Sequence, residues 1–463
     1  MSSADDLFRA TADYASQFHE TLSDRPVGAQ ASFEEVVDSL GGPLPEDGRE
    51  DVEVVSELIA AAEPGLVGSQ TGRYFGFVFG SALPASVAAD WVATAWDQNA
   101  FSVVTSPAAA AAEQVAGGWI AELLGLPAGV STGFVTGAQG ANTTALAAAR
   151  QHVLAQAGWD VSGDGLQGGP PIRVLAGAER HVTIDRSLRL LGLGTARLEV
   201  LPADEQGRLR ADALQAALEG ATGPVIVCAQ AGNVNTGAVD PIGELADACS
   251  AVGAWLHVDG AFGLWAAASP RLRRLTEGCE RADSWATDAH KWLNVPYDCG
   301  LVFCRHPEAH GDAMAVAASY LQRADGRSPS DWVPESSRRA RGFAVWAAVR
   351  SLGRAGVAEL VERCCDHART FAELLGAAPD VEILNEVVLN QVLVRFGGDD
   401  ETTREIVRRV QADGTCWLGG TDWHGRAAMR ISVSSFRTTA ADVERSANAI
   451  LQAAAAASAG ARA

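Results

Sequence analysis

The chain has 463 residues, 48% of them hydrophobic and 20% charged, and a net charge of −21 from 57 acidic against 36 basic residues. That is core material for two or three domains and too apolar a balance for a disordered chain. An acidic chain without a basic run excludes sequence-independent binding to nucleic acid or to an anionic membrane, and no run of about eighteen apolar residues is present to span a bilayer.

Residues 1–65 read as acidic, polar helices with a break at GGPLPEDG (41–48). The opening MSSADDLFRATADYASQFHE has neither a basic start nor an apolar core, so no secretory signal is expected and the protein is placed in the cytoplasm. From about residue 70 to 310, strand-like runs alternate with helical patterns. The strands are GFVTGA (133–138), PIRVLAGAE (171–179), RLEVLPA (197–203), GPVIVCAQA (223–231), AWLHVDGA (254–261), ADSWATD (282–288) and LVFCR (301–305). Between them lie helices such as 140–158 and 210–220. Continuous apolar strands alternating with helices predict an α/β fold, with a mainly parallel seven-stranded sheet covered on both faces.

After SLGRAG (351–356) the pattern changes to a helix over 357–377, strands at 381–387 and 390–396, a helix over about 400–413, a strand near 429–435 and a last helix from 440. The alanine run 450–460 reads as a helix end and a frayed tail. The expected division is an N-terminal helical segment (1–65), a large domain (66–350) and a small C-terminal α/β domain (351–463). The eight cysteines form no CxxC pair and no Cys/His zinc spacing, so no metal is expected, and they read as buried thiols in a reducing compartment.

In a parallel sheet ligands sit beyond the carboxyl ends of the strands. Four features fall there. Gly137, Ala138 and Gln139 form a small-residue turn into a helix, where amides and the helix dipole face an anion, although a tight turn explains them as well. His181 follows the second strand, and Asp259, followed by Gly260 and Ala261, ends the fifth. Lys291, in TDAHKWLNVPYDCG, stands between two buried strands. Singly these are loop or cap residues. Together they are an anion cradle, a flat ring, a carboxylate and an amine. Pyridoxal 5'-phosphate needs all four: its phosphate in the cradle, its ring against the histidine, its basic ring nitrogen on the carboxylate, and its aldehyde on the lysine as a Schiff base.

HVDGAFG, DAHKWLNVPYD and FVTGAQGAN resemble the fold-type-I pyridoxal-phosphate enzymes, in particular the group II amino-acid decarboxylases that act on aromatic amino acids and glutamate. The resemblance covers about residues 55–440. It implies an aspartate-aminotransferase-like fold, a homodimer, and decarboxylation of an L-amino acid through Lys291, with Asp259 and His181 also catalytic. Transamination, aldol-type cleavage and aldehyde synthesis begin from the same attachment and remain open. A non-catalytic scaffold is the third reading, and the intact Lys291, Asp259 and His181 oppose it. Cofactor contacts are implied for Gly137, Ala138, Gln139, His181, Asn233 (in GNVNTGAVDP), Asp259, Ala261, His290 and Lys291. Substrate contacts are implied for Phe77 and Phe79, which favour an apolar or aromatic side chain, and for Trp332, Arg341 and Arg430.

The sequence departs from that family at three places. Gln139 stands where Ser or Thr is usual, and Asp288 where the aromatic branch often has Asn. The segment 322–334, expected to be a mobile loop that closes over substrate, carries Trp332 where the family has a proton-donating tyrosine. Tyr297 and Tyr320 are the alternative donors.

Overall fold

The computed structural model describes residues 4–316 and 327–460, so Tyr320 and the start of the 322–334 segment lie outside the described residues. The chain divides into two compact units. One comprises Met1–Phe79, Thr370–Ile383 and Val394–Ala463; the other comprises Gly80–Arg369 and Leu384–Leu393. The helix Gly342–Gly376 is broken at Gly353, whose φ is +62°.

The larger unit is built on seven strands: β1 (Ser131–Val135), β2 (Arg173–Gly177), β3 (Glu199–Leu201), β4 (Val225–Gln230), β5 (Trp255–Asp259), β6 (Ser284–Asp288) and β7 (Gly300–Cys304). All seven expected strands are present. They lie in the order β1-β7-β6-β5-β4-β2-β3, with β7 antiparallel to both neighbours and the remaining pairs parallel. The exception follows from chain length. A parallel return needs a crossover of a dozen or more residues, usually a helix. Between β6 and β7 the chain has only the loop carrying Lys291, so it must fold back on itself. The same loop therefore sits at the carboxyl end of β6.

Every residue of β1, β4, β5, β6 and β7 is buried. The helix Ala138–Gln156 lies across this part of the sheet. Its small Ala141 and Ala145 pack on Val135, Ala286 and Val302, one from each of β1, β6 and β7. Side chains of this size let the helix start close above the strand ends, which places its N-terminus beside the lysine loop.

The smaller unit contains the N-terminal helices Ala4–Glu20, Phe33–Leu40 and Asp51–Ala62. Ser32 and Glu35 form a reciprocal capping box at the second of these. A four-stranded sheet, in the order β10-β11-β9-β8 with the β10-β11 and β8-β9 pairs antiparallel, uses β8 (Val381–Ile383), β9 (Gln391–Phe396), β10 (Gly419–Trp423) and β11 (Arg426–Ser432). The helices Asp400–Asp413 and Ala440–Gly460 complete it, the latter continuing through the alanine run. Among the described residues no helix is long and apolar enough to cross a membrane. All eight cysteines are buried, and no disulfide joins them.

Candidate active site

The lysine loop is fixed by its flanks. Trp292, Leu293 and Asn294 are fully buried. Asn294 takes φ +57° and its Nδ2 donates to the Trp292 carbonyl at 2.9 Å. The Leu83 N–H donates to the Asn294 carbonyl at 2.8 Å. Gly80 passes so close that a Cβ there would collide with the Lys291 carbonyl oxygen. Anchored on both sides, the loop holds Lys291 with its side chain 23% exposed and Nζ 2.9 Å from Oδ2 of Asp288, at the end of β6. His290 accepts the Cys299 N–H on Nδ1 at 3.0 Å, and Tyr297 packs on its ring with centroids 4.4 Å apart. Burial pushes the His290 pKa down despite the Asp288 carboxylate, favouring the neutral imidazole.

Asp259, at the end of β5, is 4% exposed and held by a chain of buried polar groups. Its Oδ2 accepts Asn142 Nδ2 at 2.9 Å and Thr183 Oγ1 at 3.4 Å, and Oδ1 accepts the Ala261 N–H at 3.2 Å. Asn142 Oδ1 is 2.9 Å from His257 Nε2, and His257 Nδ1 is 3.0 Å from Ser284 Oγ, which also accepts Trp255 Nε1. Burial drives the His257 pKa down to about 4, so the ring is neutral. Since Asn142 Oδ1 can only accept, the His257 proton lies on Nε2, which leaves the Asn142 amide to donate towards Asp259. The network thus orients the Asp259 carboxyl group. His181 caps the helix Val182–Leu190 with Nδ1 2.9 Å from Thr183 Oγ1, one hydroxyl away from Asp259. His181 and Asp259 line one narrow cavity with Arg180 and Gln230.

The turn after β1 completes the cluster. A Cβ on Gly137 would come within 3.1 Å of His290 Cε1, and one on Gly300 within 2.5 Å of the Gly137 backbone, so two glycines are needed where the strand ends converge. The Ala138 N–H donates to Asp288 Oδ1 at 2.6 Å. Gln139 Nε2 donates to Ser187 Oγ at 3.0 Å, tying two helices together, while its Oε1 is buried with no hydrogen-bond partner among the described residues.

The structure therefore brings Gly137, Ala138, Gln139, His181, Asp259, Ala261, His290 and Lys291 together at the carboxyl edge of one sheet. Asn233 is buried with its side chain given to backbone. Its Oδ1 accepts the N–H groups of Asn235 and Thr236, and its Nδ2 donates to the Glu179 carbonyl. Arg341 is ion-paired through Nε to Asp298 at 2.8 Å. Trp332 is not brought to this cluster. Its ring meets His310 edge-on at 5.3 Å, its carbonyl accepts His310 Nε2, and His310 Nδ1 is 2.8 Å from Ser131 Oγ at the amino end of β1. In the smaller unit, Phe77 stacks on Phe79 and Trp417, and Tyr74 stacks on the same two rings. Arg430 lies on β11 of that unit, where burial lowers its pKa.

Sequence reading passed over Asn142, Thr183, His257 and Trp417 as site residues. It also passed over a signal in the composition: of the 36 basic residues 35 are arginine, and Lys291 is the single lysine. Guanidinium replaces ammonium in ion pairs but stays protonated and cannot act as an amine nucleophile. A chain that uses arginine everywhere else retains its one lysine at this strand end. The donor set fits pyridoxal phosphate: one amine, a buried oriented carboxylate for a pyridinium nitrogen, and a helix N-terminus opened by glycine.

Fold and donor set define a pyridoxal-phosphate enzyme of fold type I. Residues 45–396 match the conserved domain of pyridoxal-dependent decarboxylases. The chain belongs to that family, the group II amino-acid decarboxylases; it is a carboxy-lyase acting on an amino acid, and its cofactor is pyridoxal 5'-phosphate. It is 27% identical to 4-hydroxyphenylacetaldehyde synthase of Rhodiola rosea, over 88% of this chain and 86% of the relative. It is 26% identical to tryptophan decarboxylase 1 of Oryza sativa subsp. japonica, over 91% of this chain and 88% of the relative. A crystal structure of Oryza sativa TDC with PLP and tryptamine superposes with a TM-score of 0.91 at 25% identity, covering 98% of this chain and 99% of that one.

Proposed function

We propose that the enzyme decarboxylates an aromatic L-amino acid. The observation that carries the reading is that the chain's one lysine and a buried, oriented Asp259 stand at the carboxyl ends of the neighbouring strands β6 and β5. The aromatic preference draws on the relatives, among them a tryptophan decarboxylase and a 4-hydroxyphenylacetaldehyde synthase. When bound, the cofactor supplies a conjugated electron sink to the substrate's Cα. Lys291 would hold it at Nζ, Asp259 would keep its ring nitrogen protonated, the His181 imidazole would lie against its ring, and the Gly137–Gln139 turn would receive its phosphate. Lys291 Nζ also accepts and returns protons when the substrate amine takes its place. Tyr297, on the face of His290, is the phenol we assign to deliver a proton to Cα after CO₂ departs. Presenting the holoenzyme with the twenty common L-amino acids should give CO₂ from tryptophan, tyrosine or phenylalanine at least about tenfold faster than from any non-aromatic one, the discrimination expected of an apolar pocket. CO₂ from glutamate alone would refute the aromatic reading.

A second reading is oxidative. The family's loop tyrosine has no counterpart in 327–334, and one of the relatives is an aldehyde synthase. With dioxygen and water, the amino acid would give aldehyde, CO₂, ammonia and hydrogen peroxide in equal amounts. Peroxide equal to CO₂ supports this route; amine equal to CO₂ supports simple decarboxylation. If Tyr297 is the donor, Tyr297→Phe raises the aldehyde fraction, whereas Trp332→Tyr leaves the products unchanged.

The proposal includes a cytoplasmic C₂ homodimer and the division at residues 65/66 and 350/351. Trp91, Val92 and Trp96 are exposed on the helix Pro84–Trp96 of the larger unit, and Phe8, Phe33 and Leu40 in the smaller. Apolar surface of this kind is ordinarily covered by another chain. Sedimentation at assay concentration is expected to show twice the 48.2 kDa chain mass, and an active monomer would contradict it.

A further inference from the structure

Arg341, expected from sequence to contact substrate, is turned to the loop that follows Lys291. Its Nε–H donates to the Asp298 carbonyl oxygen at 3.0 Å and to Asp298 Oδ1 at 2.8 Å, with the arginine side chain 10% exposed. Arg341 stands immediately before the helix Gly342–Gly376. A cation at that end opposes the helix dipole, so the helix itself gains nothing from it. The segment that carries Arg341 is fixed from behind. Three residues earlier, buried Arg338 donates from Nη2 to Glu113 Oε2 at 2.7 Å and from Nη1 to the Phe134 carbonyl on β1 at 3.0 Å. A Cβ on Gly342 would meet the Glu113 backbone nitrogen at 2.9 Å, so the helix starts directly against the helix Pro107–Leu123. Arg341 thus reaches to Asp298 from a rigid base.

Between buried Val295 and buried Cys299, the chain emerges for Pro296, Tyr297 and Asp298. Both ends of this bulge are tied to the lysine loop. The Val295 N–H donates to the Ala289 carbonyl at 3.4 Å, and the Cys299 carbonyl accepts the N–H groups of Ala289 and His290, each at 3.1 Å. Tyr297 itself is 52% exposed, with its ring tilted 32° to that of His290. Exposed side chains change rotamer within nanoseconds, so a phenol stays at one place only where its backbone is fixed. Arg341 supplies that fixation one residue away, on both the carbonyl and the carboxylate of Asp298. We propose that Arg341 is a positioning residue: by gripping Asp298 it sets where the Tyr297 phenol stands over His290, and thereby how the product divides between amine and aldehyde. The division of products rests on the assignment of Tyr297 as the proton donor; the placement of its ring does not. With Asp298 43% exposed, the ion pair contributes little to global stability, and its effect is local.

The test reads placement and product separately. The chain has 4 tyrosines, so fluorine NMR of holoenzyme labelled with fluorotyrosine gives few signals, and the one lost in Tyr297→Phe is that of Tyr297. In Arg341→Met, which keeps the stem and removes every donor, the Tyr297 signal is expected to move towards that of free fluorotyrosine. In Asp298→Ala it should move less, since the carbonyl still accepts, and in Asp298→Asn, which keeps an oxygen at the same place, it should stay near the native position. A proton donor displaced by about an ångström can cost about a hundredfold, so the aldehyde-to-amine ratio of Arg341→Met should rise at least about tenfold. The same substitution made in Tyr297→Phe should change that ratio no further. An unmoved Tyr297 signal in folded Arg341→Met overturns the inference, and Asp298→Ala decides the same point if Arg341→Met does not fold. A raised KM with native product ratio in Arg341→Met, while Tyr297→Phe alters the ratio, also overturns it and returns Arg341 to substrate binding. A ratio unchanged in Tyr297→Phe removes instead the donor assignment, and the fluorine signal still decides whether Arg341 places the ring.

Discussion

Lys291→Ala is expected to lose at least about four orders of magnitude in turnover, measured as CO₂ release under saturating cofactor and substrate. The size follows from the chemistry. In the proposed role Nζ would hold the cofactor, give way to the substrate amine, and then carry protons close to the reacting carbon. Four orders of magnitude correspond to about 5.5 kcal/mol of transition-state stabilisation. Lys291→Arg separates charge from nucleophilicity. It preserves a cation beside Asp288, and the rest of the chain uses arginine for its ion pairs, yet the guanidinium cannot attack a carbonyl. The arginine variant should therefore be as inactive as the alanine variant while keeping more of the native thermal stability. A soluble primary amine should restore part of the activity of Lys291→Ala but not that of Lys291→Arg, whose side chain still fills the space. Substantial activity in either variant without added amine would mean that the amine is not in the reaction.

Asp259→Ala should cost a further large factor by a different route. The variant retains Lys291, so it should still bind cofactor. On the proposed assignment the ring nitrogen would then face no carboxylate, and the electron sink that the cofactor supplies would be weaker. Preorganised electrostatic interactions of this kind are worth about 3–4 kcal/mol, or roughly two to three orders of magnitude in kcat. Asn142→Ala tests the orienting network. It leaves the carboxylate in place but removes the amide that donates to Oδ2 at 2.9 Å, so it should lower kcat much less than loss of Asp259 itself. Near-native kcat in Asp259→Ala would reduce Asp259 to a turn residue held by the Ala261 N–H.

The seven strands of the large sheet were legible because each is a short apolar run, and β1, β4, β5, β6 and β7 are buried along their whole length. That pattern needs no tertiary information. The positions of Lys291, Asp259, His181 and the Gly137 turn followed, since each comes directly after such a run. What stayed hidden has physical causes. β10 alternates half-buried and exposed residues with no apolar run, and its return to β11 uses His424 and Gly425 at φ +49° and +74°. That is a hairpin turn with histidine where asparagine or aspartate would have signalled it. Asn142 and His257 were hidden because their partners are 117 and 115 residues away in sequence. The Asn233 side chain could be matched by motif, but its consumption by backbone amides could not be foreseen. Trp332 shows the same limit: a motif position says where the residue lies in the chain, whereas His310 and Ser131 decide what it packs on.

The most direct test is chemical fixation of the cofactor in the native holoenzyme. Borohydride reduction makes the bond to the cofactor permanent, and peptide mapping by mass spectrometry then locates it. With a single lysine in 463 residues, the only other amine is the chain's α-amino group. The account predicts one equivalent of reduced cofactor per chain, all of it on the peptide containing His290-Lys291-Trp292, with loss of the absorbance band and of CO₂-forming activity in proportion. Cofactor recovered on the N-terminal peptide, or unattached while the reduced enzyme still decarboxylates, would contradict it.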